Sequence, residues 1–439
     1  MGLRNLLAML LNPKHILHRT QPLHSLSPPT RAMAPPSWVI LATAPRVSAD
    51  LPPAADLSLA LAAPPRVAHL TLGPRVFPAD PDPQARLASP CLLAADPSSA
   101  RFLVLAPPSV ADRPPTRPRV YTGPSGVERT VHIGRVPEPN CFLLDVPAAT
   151  ASRVPDPDCV TFNWGDLGVI AAPAGGYMLA GFDFIVGSKD AELICFSSQT
   201  GEWVTKDVRN PLRSWIWNFR DVVSHDAKLW WVDTAAGLLS CDPFADHPVM
   251  AYVPLPKQDK PRRRCCYYCS ERAAASRRRV MLSDAKFRCV EMSRDHKAEG
   301  KAEGVAPTVT VRTLADPEKA EWTLEYKVAF ADIWAADSYK AAGLPEKDPV
   351  VALIHPNNPG VLYFFVDKFL FGVDMRAKVV LECAPHDLSS EGGVSSSSVL
   401  AWELPPALTA GLAGDGSDAS VKEEEFGGPS NNLIDRSGE

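Results

Sequence analysis

The chain has 439 residues, enough for two or three average domains or for one large all-β domain. Its 45 basic and 50 acidic residues give a net charge of -5, which excludes a global electrostatic attraction to nucleic acid or to a membrane. The 45 prolines are about twice the usual share, and because proline breaks helices they favour many short strands over a helical bundle.

Residues 1–36 have the composition of a leader outside the folded domain. No Asp or Glu occurs before Asp50, and basic residues are present at Arg4, Lys14, Arg19 and Arg31. This is typical of an organelle transit peptide, and a plastid or mitochondrial location follows if residues 1–32 are one. A disordered leader, or a true start at Met33, fits equally well, and the expected location is then the cytoplasm, the nucleus or both.

Residues 37–406 are predicted to form a single all-β domain. Short apolar runs such as "SWVILATAPRV" and "NCFLLDVP" alternate with turn residues. Gln199–Gly201 is predicted to be a hairpin turn between two strands. The uncharged run 167–182 is too short and too broken for a membrane span of about 20 residues, so we interpret it as strand, turn and strand, and we expect no membrane contact.

One stretch of the sequence is partly duplicated. "SHDAKLWWVD" (224–233) aligns with "LSDAKFRCVE" (282–291), and a looser copy is "VDKFLFGVD" (366–374). In each copy an Asp-containing turn leads into an alternating strand. Recurring antiparallel units of short strands predict a β-propeller-like fold, and a β-sandwich is the alternative.

Other segments depart from the strand pattern. Residues 257–279 contain nine Lys or Arg residues and are predicted to form an exposed basic insert. Residues 294–304 are charged and expected to be solvated, and the acidic tail 407–439 is predicted to be disordered. Residues 330–347 indicate one short helix, ended by glycine and proline.

Motifs across most of the chain resemble those of a known family. "FNWGDLGVIAAPAGGYMLA", "LICFSSQTGEWVTKDV", "GLLSCDPFAD" and "IHPNNPGVLYFFVDKFLFGVD" look like the plant domain-of-unknown-function family 1618. The resemblance implies a plant protein with a fold similar to the propellers of F-box-associated and kelch-like proteins, and it implies no known activity. The family usually has Gly where this chain has Ala227 and Ala285, which leaves the type of these turns open.

The conspicuous aromatic and acidic residues are interpreted as structural. Trp230 and Trp231 are adjacent on a predicted strand, so their rings face opposite sides and cannot line one pocket. One ring is expected in the core and the other between blades. Trp164, Trp203 and Asp242 are also predicted to be structural, with Asp242 opening a turn. The weaker alternative is a metal site formed by Asp242, Asp246 and His247.

The basic insert provides the candidate contact residues for a partner, which are Arg262, Arg263, Arg264, Arg277, Arg278 and Arg279. Its "KPRRR" sequence is also typical of a nuclear import signal, and the arginines with Tyr267 and Tyr268 suit nucleic acid as a further alternative. A solvated loop without a partner explains the same residues. Cys265, Cys266 and Cys269 provide one Cys-x2-Cys pair, so a zinc site would need Cys289 and His296 as further ligands.

The sequence contains no nucleophile elbow, zinc-protease motif or phosphate-binding loop. We therefore favour a non-catalytic propeller that binds an unknown protein partner, without a metal or cofactor. A hydrolase with its site on the propeller axis is the enzymatic alternative, because propeller active sites draw residues from separate blades. Nucleic-acid contact through the basic insert is the third hypothesis.

Overall fold

The structure is a computed structural model. It describes residues 36–96, 100–112, 137–157, 163–257, 277–293, 306–388, 395, 397–406 and 408, together with the backbone of 117–122 and 128–133. The predicted leader, the segment 294–304, the acidic tail and most of the basic insert lie outside these ranges.

The first sheets use the strands in nearly consecutive order. Sheet 1 begins with β1 (Trp38–Ala42), β2 (Arg46–Val47), β3 (Leu57–Ala60) and β4 (Val67–Leu72). Sheet 2 contains β5 (Cys91–Asp96), β6 (Arg101–Ala106), β9 (Asn140–Asp145) and β10 (Thr150–Arg153), and a separate hairpin of β7 (Arg117–Thr122) and β8 (Glu128–Ile133) lies between β6 and β9 in the chain.

Sheets 3 to 6 are simple antiparallel meanders. Sheet 3 contains β11 (Gly168–Ala171), β12 (Tyr177–Phe184), β13 (Asp190–Ser197) and β14 (Glu202–Arg209). Sheet 4 contains β15 (Asp221–His225), β16 (Lys228–Asp233), β17 (Gly237–Cys241) and β18 (Ala251–Pro254). Sheet 5 contains β19 (Arg278–Ser283), β20 (Lys286–Ser293), β21 (Thr308–Asp316) and β22 (Glu321–Ala329). Sheet 6 contains β23 (Val350–Ile354), β24 (Val361–Val366), β25 (Phe369–Asp374) and β26 (Val379–Pro385).

The last strand, β27 (Val399–Glu403), returns to sheet 1 and pairs antiparallel with β1. Among the described residues, six buried apolar clusters each join neighbouring sheets, from 1 and 2 through to 6 and 1. The ring has five four-stranded blades, and the mixed sheet 1 closes it. The predicted propeller is therefore confirmed over the β-sandwich alternative.

Two short helices lie between sheets 5 and 6. The sequence predicts one helix in 330–347, and the structure has two, α1 (Phe330–Ala335) and α2 (Asp337–Ala341). The chain is extended at Ala336, which divides the predicted helix. The uncharged run 167–182 forms β11, a turn and most of β12, as predicted.

The duplicated motif forms the same hairpin in two successive blades. Residues 226–227 join β15 to β16, and residues 284–285 join β19 to β20, each as a two-residue turn. The looser copy occupies a different place, because Asp367 lies between the second and third strands of sheet 6. The expected Asp-containing turn that leads into a strand is present in this copy too, but here the strand is the third of its blade.

Both turn residues are left-handed, which settles the turn type left open by the sequence. The φ angles are 51° and 55° at Asp226 and Ala227, and 46° and 51° at Asp284 and Ala285. Positive φ at both central residues is the type I′ geometry, which matches the twist of the two strands. Alanine has a steric cost in this region because of its Cβ atom.

We expect Ala227→Gly to raise the free energy of unfolding by up to about 1 kcal/mol, because glycine adopts positive φ without that steric cost. Denaturant unfolding of both proteins would measure the difference. Ala251→Gly is a matched control, since Ala251 is exposed within β18 and should lose about 0.5–1 kcal/mol. Destabilisation by both substitutions would contradict the turn argument.

Two tryptophans connect outer strands to the preceding sheet in the same way. Trp203 is the second residue of β14, and its Nε1 donates to the carbonyl of Pro155 at 2.8 Å. Trp322 is the second residue of β22, and its Nε1 donates to the carbonyl of Pro254 at 2.9 Å. The sequence signal is a Glu-Trp pair at the start of each outer strand, which the sequence interpretation did not use.

Candidate interaction surface

The two ends of the strands carry different connections. In each meander, the turn between the second and third strands lies at the same end as the connection to the next sheet. We call this end the connection rim, and it includes residues 185–189, 210–220 and 330–349. The opposite end carries the two-residue turns at 226–227 and 284–285.

Exposed apolar side chains lie on the connection rim of sheet 3. Ile185 and Val186, between β12 and β13, are 75% and 51% exposed, and Ile216, before β15, is 48% exposed. Two backbone hydrogen bonds join the loop 185–189 to the loop 210–220. The N of Gly187 donates to the O of Arg213 at 2.7 Å, and the N of Asn210 donates to the O of Lys189 at 2.8 Å. The apolar side chains are therefore displayed on a backbone that is fixed at both ends.

A groove of about 560 Å³ continues from these loops along the edge of sheet 3. Its walls come from β13, from β14 and from the segment before β18, through Asp190, Ala191, Asp207, Val208, Arg209, Pro248, Val249 and Met250. Val249 is 78% exposed. We call Ile185, Val186, Ile216, Val249 and this groove the sheet-3 surface.

Hydrogen bonds from Lys206 and within a turn position the segment before β18, which forms one wall of the groove. The Nζ atom of Lys206, on β14, donates to the carbonyl oxygens of Pro243 and Ala245, each at 2.9 Å. Asp242 Oδ1 accepts from the backbone N of Phe244 at 2.9 Å, which stabilises the turn that begins this segment. Asp242 therefore acts in a turn, the role assigned to it by the sequence.

The two adjacent tryptophans face opposite sides, as predicted, but both lie between blades. Trp231 is fully buried between sheets 3 and 4, and its Nε1 donates to the carbonyl of Asp166 at 2.8 Å. Trp230 lies between sheets 4 and 5, with its ring centroid 4.8 Å from that of Phe287. The predicted core position and the predicted position between blades are therefore not alternatives, because the buried core of this ring of sheets is the set of interfaces between them.

Trp164 and Trp203 lie together at the interface of sheets 2 and 3. Their ring centroids are 6.3 Å apart in an edge-to-face arrangement. Trp164 is buried in a short 3-10 turn ahead of β11, and Trp203 is the second residue of β14. Neither ring is part of the sheet-3 surface.

Asp166 is the buried carboxyl with a strongly perturbed pKa. Burial raises its pKa from 3.8 to about 7, and the hydrogen bond from Asn163 Nδ2, at 2.6 Å, opposes the shift. A hydrolase that works with carboxyl groups needs two of them, one for the acid and one for the base or nucleophile. Among the described residues, the side chain that hydrogen-bonds to the Asp166 carboxyl is the amide of Asn163 and not a second carboxyl group.

The predicted contact residues of the basic insert are divided by the structure. Arg262, Arg263 and Arg264 lie outside the described residues. Arg278 and Arg279 are buried in β19, at 4% and 7% exposure, so extending the exposed insert to Arg279 is wrong. The strand continues to these residues because β20 provides backbone partners opposite both.

Within the described residues, no group of three or more His, Cys, Asp or Glu side chains could hold a metal ion. Cys289 faces the apolar interface of sheets 4 and 5, and burial raises its pKa to about 11. The other residues of the possible zinc site lie outside the described residues. No helix in the described part of the chain is long and apolar enough to cross a membrane.

Comparison with known protein families matches part of the chain to a family of unknown function. Residues 231–363 match the family described as "Protein of unknown function (DUF1618)", which confirms the family resemblance over that part of the chain. No curated protein matches the chain.

Solved structures give only distant matches. YjhT aligns with a TM-score of 0.32 and 9% identity, over 80% of this chain and 97% of that chain. The α-L-arabinanase of Penicillium chrysogenum complexed with arabinobiose aligns with a TM-score of 0.30 and 12% identity, over 62% and 81%. The β-propeller domain of Cps50 (Swd1) from Myceliophteria thermophila aligns with a TM-score of 0.29 and 10% identity, over 66% and 98%. No functional assignment follows from similarity at this level.

Proposed function

We propose that this propeller, whose residues 231–363 carry the DUF1618 sequence, is a non-catalytic platform that binds a protein partner through the sheet-3 surface. The observation that carries the proposal is the concentration of exposed apolar side chains there. Val249 and Ile185 are the two most exposed large apolar residues in the described part of the chain. Exposed apolar groups gathered beside a groove are typical of an interaction site.

The surroundings of these residues suit a protein partner. Lys189 and Arg213 are exposed on the same two loops as Ile185 and Ile216, which places charges around an apolar centre. This is the usual arrangement of a protein interface, with an apolar centre and a polar rim. The groove provides Ala191, Val208 and Met250 as an apolar floor for a partner side chain.

We expect the double variant Ile185→Asp, Val249→Asp to lose its partner while keeping its fold. A carboxylate at each position would have to be desolvated on binding, and the expected effect is at least a tenfold loss of affinity. The purified full-length protein would be used to retain proteins from an extract of the source organism. Mass spectrometry would then compare the amounts retained by the wild type and by the variant.

Leu324→Asp, Leu381→Asp is the matched control. These leucines are also exposed, but they lie on the outer strands of sheets 5 and 6. The proposal requires a protein that is retained by the wild type and the control but not by the sheet-3 variant. Equal retention by all three proteins, or none by the wild type, would refute it.

A further inference from the structure

Two adjacent arginines begin β19 and differ in how their charges are compensated. Arg278 and Arg279 are both more than nine-tenths buried, and they point to opposite sides of the strand. Arg278 Nη2 donates to Glu291 Oε2 at 3.0 Å and to the carbonyl of Pro256 at 2.8 Å. The charge of Arg278 is therefore paired with a carboxylate.

Arg279 has no such partner among the described residues. Its Nη1 donates to Ser397 Oγ at 3.3 Å, its Nε is buried without a hydrogen-bond partner, and no described carboxylate lies within 4.0 Å. Burial of a cation without an anion is strongly unfavourable, because the lost hydration is not replaced. A folded protein that keeps arginine here is expected to supply an anion to it.

The position of Arg279 makes it accessible to an anion from solution. β19 is the innermost strand of sheet 5, and Ser397 comes just before β27, which is innermost in sheet 1. The guanidinium therefore lies at the connection rim, where the inner strands approach one another. Ser397 is exposed, and Arg279 keeps 7% of its surface in contact with solvent.

We propose that Arg279 and Ser397 form a binding site for an oxyanion, a carboxylate or a phosphate group. A guanidinium can donate two parallel hydrogen bonds to such a group. The Nε of Arg279 is buried and has no partner among the described residues, so an anion has to enter beside the guanidinium to accept from it. The hydroxyl of Ser397 accepts from Arg279, so its own hydrogen is free to donate to the anion. This site does not depend on the sheet-3 surface and stands whether or not a protein partner binds there.

The test compares thermal unfolding of the full-length protein in sodium chloride, phosphate and succinate at equal ionic strength. Phosphate or succinate at about ten times its dissociation constant should raise the Tm of the wild type by roughly 1–3 °C above chloride. Phosphate alone, or succinate alone, identifies which oxyanion the site prefers. Equal Tm values in all three salts would overturn the proposal.

Substitutions then locate the effect. Arg279→Met should abolish the anion-dependent rise and should be at least as stable as the wild type in chloride, because an unpaired charge is removed. Arg278→Met is the matched control: it should unfold at a lower temperature, since Glu291 loses its cation at 3.0 Å and keeps only the longer contact with Arg312 at 4.0 Å among the described residues, but it should keep the anion response. An anion response that survives in Arg279→Met would refute the site.

Two more variants keep the test decisive if either methionine variant fails to fold. Ser397→Ala leaves the arginine in place and should reduce the anion-dependent rise in Tm. Lys228→Met, just after the 226–227 turn at the opposite end of the sheets, removes an exposed charge away from the site and should leave the rise unchanged. If the control variant reduced the anion-dependent rise in Tm and Ser397→Ala left it unchanged, the assignment of the site to Arg279 and Ser397 would be contradicted.

Discussion

Replacement of Trp231 by alanine is expected to lower the free energy of unfolding by about 3–5 kcal/mol. The ring is fully buried between sheets 3 and 4, where it packs in the same cluster as Leu229 and Leu239. The substitution would leave a cavity at the interface of two blades and would remove the donor to the carbonyl of Asp166. Denaturant unfolding of the purified variant would measure the loss.

Trp230→Ala tests the same argument at the next interface. Trp230 packs against Phe287 of sheet 5, and its Nε1 donates to the carbonyl of His225 at 3.1 Å. We expect a loss of similar size, because both rings fill interfaces between sheets. If both substitutions left the Tm unchanged and instead abolished binding of a ligand, the tryptophans would be binding residues and the structural interpretation would be wrong.

Asp166→Asn is expected to stabilise the protein at neutral and alkaline pH but not at acid pH. The pKa of Asp166 is raised in the folded state, so the folded protein holds this proton more tightly than the unfolded chain does. The contribution of Asp166 to the free energy of unfolding is highest below pH 4 and decreases as the pH rises towards 7. Above pH 7 this contribution no longer changes. The shift from 3.8 to about 7 sets an upper limit of about 4 kcal/mol on the loss.

The measurement is the difference in unfolding free energy between variant and wild type at several values between pH 4 and pH 8. Asparagine can accept the hydrogen bond from Asn163, so the local packing is kept. Asp183→Asn, on the exposed surface of β12, controls for the loss of one negative charge. If the difference in unfolding free energy did not change across this pH range, ionisation of Asp166 would not destabilise the folded protein, and the argument from burial would be wrong.

Local sequence patterns were sufficient to predict the strands and their turns. The alternation around 224–233 and the Asp-Ala pairs placed the hairpins correctly, because side-chain periodicity and turn geometry depend on neighbouring residues. The same local reasoning did not determine which hairpin of its blade the copy at 366–374 forms. Two kinds of hairpin in one blade use similar residues, and only the strand order of sheet 6 distinguishes them.

The candidate surface could not be predicted in the same way. Ile185, Ile216 and Val249 come from three separate connections, and each resembles an ordinary strand residue in the sequence. Their exposure depends on how sheets 3 and 4 pack. The buried arginines were also misjudged, since Arg278 and Arg279 continue a basic run and only the pairing of β19 with β20 separates them from it.

The pairing of β1 with β27 has a consequence for how the protein is synthesised. β1 is the first strand of the described part of the chain, and β27 is completed more than three hundred residues later. Until then, one edge of β1 lacks its antiparallel partner, and such an edge can pair with another chain. The nascent chain therefore carries an unpaired strand edge, which favours aggregation, from the synthesis of β1 until that of β27. Protection of this edge by a chaperone is expected to matter more here than in a protein whose strands pair only with their neighbours in sequence.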